Sequence, residues 1–387
     1  MTLYIKRNNF SPPFVLYVLQ NICYVAYMQG MFSRGVYLAT LGLYCTYCVA
    51  QILKWNNGRL SKTLVFYSEF KKVAGIIGAI WFVSFFTQIV NGNISLYLYK
   101  ELLYLVLPLV LVLSVANIES ENYRKYFYVM LIRFIVSFFL YVGKDFTISN
   151  LLAINWNDTN SALTENSYAH VLCISTIILL SWRKRKLAIL TTILCIASFK
   201  RVALLMCIGA WLISFSNIGE NKVPNIIKTA TKVLFILMPY IMLLIYSKEG
   251  ATLFMDLFGL DIGKFSASRY YLVNDVLNRF RDGFNGFGTI AEYFVSRGTY
   301  YASIVSIHCD ILVLFLECGI IVVVIAINNW VEIGCKNVYT FFLLLYMLLE
   351  LTVTHSLHGI AEWTLFYFFV MYNNTAMQHN DFDINTV

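Results

Sequence analysis

Residues 311–327 read ILVLFLECGIIVVVIAI, and Glu317 is the one charged side chain in this run. A helix needs roughly 20 consecutive, mostly apolar residues to cross the hydrocarbon core of a bilayer. With its flanks, the run therefore predicts a transmembrane helix near 305–328. Comparable runs recur along the whole chain, and polar turns such as Asn91-Gly92-Asn93 separate them. The predicted helices lie near 13–29, 35–53, 73–90, 97–116, 126–142, 167–182, 186–199, 202–217, 230–247, 305–328, 337–354 and 360–377.

Composition supports a lipid environment for these helices. Hydrophobic residues make up 59% of the 387 positions and charged residues 13%, with a mean hydropathy of +0.68. A soluble globular chain carries about 25% charged residues. We therefore predict an all-α polytopic membrane protein of about 12 transmembrane helices, with 1–387 as one integral membrane domain. The nine cysteines, including the pair Cys45 and Cys48, fall mostly inside apolar runs and are interpreted as small buried side chains.

The distribution of Lys and Arg predicts the orientation. Basic residues concentrate in alternate short loops, most clearly in Arg183-Lys184-Arg185-Lys186. Cytoplasmic loops of membrane proteins carry such an excess, so both termini are predicted to lie in the cytoplasm. Lys6-Arg7 leads straight into the first predicted helix, which we expect to be retained as an anchor. The net charge of +8 thus follows membrane topology and does not indicate nucleic-acid binding.

Two polar segments are predicted on the external side, a medium loop at 143–166 and a large loop at 248–304. The large loop contains Arg269, Arg279 and Arg281, followed by a glycine-rich turn at 283–288. Guanidinium groups present planar forks of donors, and glycines let backbone N–H groups approach an anion, so a diphosphate is a suitable ligand. The alternative is an amphipathic loop helix whose charges face water. The two interpretations have similar weight for each arginine.

Arg201 is a further candidate, because it begins a predicted helix on the external side against the usual distribution of basic residues. Ionisable residues near a span are costly unless they face a cavity or a partner. A side chain that reaches the lipid headgroups is the alternative, and a functional role is favoured over it.

Several other polar side chains lie near the external ends of the last helices. His308 lies where the large loop meets the next predicted helix and can act as a general base or donate to an oxyanion, although a lone interfacial histidine is more often structural. The nearby polar residues are Asp310, Glu317, His355, His358 and Glu362. The pair His355 and His358 shows no third ligand at a defined spacing, so no metal site is predicted. Lys100-Glu101 and Arg133 are interpreted as a structural polar cluster.

The order and spacing of these motifs resemble the O-antigen polymerase (Wzy-type) family and the related O-antigen ligases. The resemblance rests on Ser198-Phe199-Lys200-Arg201, on Ser268-Arg269-Tyr270 with Gly286-Phe287-Gly288, and on His308-Cys309 with Glu317-Cys318-Gly319. Topology, length and the position of the large loop match over essentially the whole chain. The motifs are short, so their order carries the match.

The resemblance implies a metal-independent, cofactor-free glycosyl transfer on the periplasmic face of the bacterial inner membrane. An undecaprenyl-diphosphate-linked oligosaccharide is the implied donor and a second lipid-linked repeat unit the implied acceptor. Arg201 and Arg269 are the implied diphosphate ligands, with Arg279 and Arg281 as weaker additions, and His308 is the implied essential residue. Membrane lipid and a chain-length regulator protein are candidate partners.

Two residues depart from the ligase pattern. Cys309 stands where ligases often have an amide or hydroxyl residue, and Val322 stands where a small or aromatic residue is common. Both departures favour a polymerase and weaken the role carried over to His308. The alternatives are an O-antigen ligase that transfers glycan to lipid A-core, and a polysaccharide transporter or flippase.

Overall fold

The structure is a computed structural model that describes residues 11–55, 67–92, 94–118, 123–143, 145, 147–152, 168–198, 200–259, 261–266, 269–279, 285–297 and 307–384. Its helices are α1 (Pro12–Met28), α2 (Arg34–Trp55), α3 (Tyr67–Val90), α4 (Leu96–Ile118), α5 (Tyr123–Tyr141), α6 (Ile148–Leu152), α7 (Tyr168–Ser181), α8 (Arg185–Ala197), α9 (Arg201–Ser216), α10 (Asn225–Ile245), α11 (Lys248–Phe258), α12 (Ile262–Phe265), α13 (Arg269–Arg279), α14 (Thr289–Ser296), α15 (Asp310–Gly334), α16 (Val338–Val353) and α17 (Ile360–Ile384). Strand pairing in these residues is limited to a single antiparallel bridge between Lys222 and Asn337. The all-α prediction is confirmed at this level.

Each of the twelve predicted apolar stretches coincides with one of these helices. Within the described part of the chain, four are long and apolar enough to cross a membrane, namely Tyr67–Val90, Leu96–Ala116, Asn225–Ile245 and Asp310–Gly334. The chain is thus a helical protein with membrane-spanning character. Shorter apolar helices include α7, α9 and α16. Twelve crossings therefore stay a prediction.

Two of the predicted spans form helices that are too short to cross a bilayer. Helices α8 and α9 contain 13 and 16 residues. At 1.5 Å per residue they measure about 20 and 24 Å, less than the ~30 Å of a hydrocarbon core. Only residues 198–200 separate them in the sequence.

The chain divides into two compact units, and the first comprises Met1–Tyr67, Leu109–Thr176 and Lys186–Leu204. Its aromatic core joins α1, α2 and α5, because the Tyr17 ring lies 5.6 Å from that of Tyr44 and 4.9 Å from that of Tyr126. Arg133 is buried in this unit, where it donates to Asn21 Oδ1 at 3.1 Å and lies 3.9 Å from the centre of the Tyr24 ring. A buried guanidinium needs such partners to offset its desolvation.

The second unit comprises Ser68–Pro108, Ile177–Arg185 and Leu205–Val387. Helix α15 is central to it, since 67% of its most apolar 18-residue stretch is buried. In α10 only 17% of the corresponding stretch is buried, so a wide apolar surface is exposed. Trp330 of α15 stacks on Trp363 of α17 at 5.0 Å. Gly334 allows α16 to approach α15 closely, because a Cβ atom there would lie 2.9 Å from Leu344.

The two predicted loops have different outcomes. Segment 248–304 is largely helical where it is described, with α11, α12, α13 and α14 in sequence. The medium segment 143–166 contains α6, and its residues 153–166 lie outside the described residues. Neither observation tests on which side of a membrane these segments lie.

Candidate functional site

The glycine-rich turn that precedes α14 is anchored on Glu317 of α15. The backbone N–H groups of Gly288 and Ile290 donate to the two carboxylate oxygens of Glu317, at 3.0 and 2.7 Å. The N–H of Gly286 donates to the Glu317 backbone carbonyl at 3.0 Å, and that of Phe287 donates to Ser84 Oγ of α3 at 2.9 Å. A fully buried carboxylate is thereby given the hydrogen bonds that its burial requires.

This geometry corrects one sequence interpretation. The N–H groups of 286–288 were expected to approach a bound phosphate, but Glu317 and Ser84 already accept their hydrogen bonds. The glycines serve tight packing instead. Gly288 has φ +92°, and a Cβ atom there would lie 2.9 Å from the backbone of Tyr97. The turn is therefore an anchor for the segment, and its glycines are required by backbone conformation and by space.

Helix α15 is interrupted where it receives this turn. Gly319 has φ +79° and ψ 172°, which breaks the helical dihedral angles two residues after Glu317. Only glycine adopts such angles readily. The interruption leaves the Glu317 backbone carbonyl without its usual helical donor, and the Gly286 N–H donates to it instead.

A second cluster lies at the N-terminal end of α15, and we name it the histidine–carboxylate cluster: Asp310, His355, His358 and Glu101. Asp310 is in the first turn of α15, and its side chain is 1% exposed. Its Oδ1 atom lies 2.8 Å from His355 Nδ1, and its Oδ2 atom accepts a hydrogen bond from Leu357 N at 2.5 Å. Both oxygens of the carboxylate are thus engaged by the turn between α16 and α17.

The two histidines of the cluster have different electrostatic environments. Burial opposes protonation of His355, but the charge and hydrogen bond of Asp310 outweigh it and raise the pKa above the ordinary value. Burial, reinforced by the charge of His355, lowers the pKa of His358 to about 3. The ring centres are 4.0 Å apart. His358 is therefore neutral near pH 7, and His355 is the ring of the pair that protonates more readily.

Glu101 of α4 completes the cluster by contacting His358 Nε2. This contact corrects the expected grouping of Lys100-Glu101 with Arg133. Lys100 lies 4.9 Å from the centre of the Tyr97 ring, and Arg133 is bonded to Asn21 in the first unit. Glu101 thus belongs to the histidine–carboxylate cluster, and Arg133 belongs to an aromatic core.

His308 lies beside this cluster. Its side chain is exposed, its φ is +52°, and its ring centre is 6.4 Å from that of His355 in an edge-to-face arrangement. Cys309, which follows it, is fully buried. Arg269, the first residue of α13, is half-buried, and its positive charge acts on Cys309. The structure therefore brings His308 and Arg269 to the same end of α15.

The remaining predicted site residues are not brought to this place by any described contact. Arg279 is exposed at the C-terminal end of α13, which fits the interpretation of a charge that faces water. Arg281 lies outside the described residues. Arg201 begins α9 and is half-buried in the first compact unit, next to Lys200, which is buried against His170.

The cluster also contains a set of atoms that could hold a metal ion. Asp310, His355 and His358 each offer one ligand atom, and these three atoms lie within 4.8 Å of one another. The sequence offered no third ligand for the two histidines, because Asp310 is 45 positions from His355. Two imidazoles and a carboxylate form a donor set that divalent transition metals accept. The hydrogen bonds on both Asp310 oxygens and on His355 Nδ1 favour a proton-transfer arrangement instead.

Comparison with known proteins assigns no relative. No protein-family model matches the sequence, and comparisons with curated proteins and with solved structures give no significant match.

Proposed function

We propose that this protein is a membrane glycosyltransferase of the polysaccharide-polymerase type. It joins undecaprenyl-diphosphate-linked repeat units on the external, periplasmic face of the bacterial inner membrane. The reducing-end sugar of one lipid-linked glycan is transferred to a non-reducing-end hydroxyl of another. The proposal rests on the order of the sequence motifs described above and on one feature of the structure.

That feature is the meeting of His308 and Arg269 with the buried histidine–carboxylate cluster at one end of α15. Arg269 comes from segment 248–304, which separates the long apolar helices α10 and α15, and His308 lies just before α15. A transfer from a lipid diphosphate needs a cation for the leaving group and an acceptor for a proton. Both kinds of group are present at this end of α15, where His308 lies beside His355 and the charge of Arg269 acts on Cys309.

Arg201 and Arg269 are the proposed ligands of the leaving diphosphate. A guanidinium offers two parallel N–H donors to phosphate oxygens, so its interaction strengthens as negative charge develops on the leaving group. Arg279 and Arg281 are weaker candidates that would contact the diphosphate or the glycan on its way in. Two chemical roles are proposed for His308, which are to accept the hydroxyl proton or to donate to a diphosphate oxygen.

The proposed topology has twelve crossings with both termini in the cytoplasm. Alkaline phosphatase fused after Asp261, in segment 248–304, is expected to be active, because that enzyme folds only outside the cytoplasm. The same fusion after Lys184 should be inactive, and β-galactosidase fusions should give the opposite pattern. An active phosphatase after Lys184 would contradict the orientation, whatever the chemistry of the protein.

A gel of surface polysaccharide tests the function directly. Cells that lack the protein should carry a single repeat unit on lipid A-core, and wild-type protein should restore the ladder of longer polymers. His308→Ala, present at the wild-type level, should leave the single-unit pattern. Immunoblotting of the membrane fraction supplies the level control.

The rival functions give different gels. Long polymer that accumulates on undecaprenyl diphosphate while lipid A-core stays bare would identify a ligase. Loss of all polymer from the periplasm, with lipid-linked repeat units retained on the cytoplasmic side, would identify a flippase. A normal ladder of polymers in cells without the protein would contradict the proposed polymerase function.

A further inference from the structure

The pair Asp310 and His355 has the arrangement of an activated base. Asp310 is 1% exposed and holds His355 Nδ1 at 2.8 Å, while the His355 side chain keeps 19% of its surface accessible. If Nδ1 carries the hydrogen that points at the carboxylate, the lone pair of the neutral ring is on Nε2. The Leu357 N–H fixes the second oxygen of Asp310, so the carboxylate cannot rotate away.

We infer that His355, held by Asp310, accepts the proton of the acceptor hydroxyl in the proposed transfer. This inference rests on the proposed function and chooses between the two roles left for His308. His355 would be the base, and the more exposed His308 would donate a hydrogen bond to the leaving diphosphate. Asp310 is a positioning residue, because it acts through His355 and does not touch the sugars.

The step balances without any further reagent. The acceptor hydroxyl oxygen forms a bond to the anomeric carbon of the donor glycan as the bond from that carbon to the diphosphate oxygen breaks. The bonding pair leaves with the diphosphate, and the hydroxyl proton passes to His355 Nε2. The imidazolium that forms is stabilised by the Asp310 carboxylate, and it later releases its proton to water.

The groups that face His355 determine how it titrates. Asp310, Glu101 and Glu317 favour its protonated form, whereas burial opposes it. His358 is neutral, and the His308 ring lies edge-to-face at 6.4 Å. A base works in its deprotonated form, so the rate should rise with pH through a pKa above the ordinary value of about 6.5 for histidine. Removal of the Asp310 charge should move this rise to lower pH.

The test measures initial rates between pH 5 and 9 for purified protein in liposomes. The substrate is the lipid-linked repeat units extracted from cells that lack the protein. We expect His355→Gln to lower the plateau rate on the order of 100-fold or more and to remove the rise with pH. Asp310→Asn should lower the plateau and shift the rise to lower pH. Imidazole added to His355→Ala should restore part of the rate.

Two matched variants make the test specific. Asp275→Asn makes the same chemical change on a partly exposed carboxylate of α13 that is bonded to Tyr293 and Arg297, and it should keep both the plateau and the pH profile. His308→Gln should lower the rate but keep the rise with pH. Melting temperatures in detergent identify any variant that loses activity through unfolding, and a rate that imidazole restores to His355→Ala shows that this variant is folded.

Three results would overturn the inference. A His355→Gln variant with the wild-type rate and pH profile would remove His355 from the proton path. A rise with pH that His308→Gln abolishes and His355→Gln keeps would make His308 the base. One equivalent of tightly bound metal in wild type, lost in Asp310→Asn, would assign the cluster to metal binding. Inactive wild-type protein would instead remove the proposed function itself.

Discussion

Replacing Glu317 by alanine is expected to lower the free energy of unfolding by about 2–6 kcal/mol. The carboxylate accepts from the N–H groups of Gly288 and Ile290, and both residues are buried. Each buried donor left without a partner costs about 1–3 kcal/mol. The loss should be concentrated in segment 248–304, since these bonds join the start of α14 to α15.

Thermal unfolding in detergent and limited proteolysis measure this effect. The Glu317→Ala protein should melt at a lower temperature than wild type, and its first cleavages should fall in segment 248–304. Glu317→Gln should be less destabilised, because one side-chain oxygen remains to accept. Glu292→Ala is the control: it removes a half-exposed glutamate from α14, and it should stay within about 0.5 kcal/mol of wild type. An unchanged melting temperature for Glu317→Ala would mean that the turn is not anchored by this carboxylate.

The second large effect is expected from the two arginines. Arg201→Ala and Arg269→Ala should each reduce polymer formation on the order of 100- to 1,000-fold, as the loss of one donor to a developing negative charge does in other enzymes. Such a reduction removes long chains from a polysaccharide gel. Arg201→Lys and Arg269→Lys should retain short polymers, because lysine keeps the charge but not the fork of donors.

Arg297→Ala is the matched control for this series. Arg297 belongs to the same polar segment, its side chain is 45% exposed, and it pairs with Asp275 at 3.4 Å. An exposed ion pair of this kind contributes about 0–1 kcal/mol, so the variant should make polymer of normal length. Full-length polymer from Arg201→Ala or Arg269→Ala, at a normal protein level, would remove that residue from the diphosphate site.

Helix positions were readable from the sequence, whereas the partners of polar side chains were not. Apolar runs located α15 and its neighbours because a chain segment in lipid must satisfy its backbone hydrogen bonds internally. No local pattern connects Asp310 to His355 or Glu101 to His358, since each pair joins a helix to a turn that is distant in sequence. The same limit explains why Lys100-Glu101 was grouped with Arg133.

The glycine-rich turn shows a different limit. Its composition predicted exposed N–H groups, because glycines commonly line anion sites. The same composition equally suits a turn that packs tightly and donates to a buried carboxylate. Glu317, 29 residues from Gly288, decides between these two uses, and only the fold places it there.

The interruption of α15 at Gly319 has a consequence for biosynthesis. The carbonyl of Glu317 is satisfied by Gly286, a residue that leaves the ribosome before α15 does. In the proposed topology, segment 248–304 is translocated before α15 is inserted, and it can dock only after that insertion. Helix α15 would enter the lipid as an uninterrupted helix or with an unsatisfied carbonyl, and docking would set its final shape. We expect membrane insertion and the completion of the site to be two separate events in the maturation of this protein.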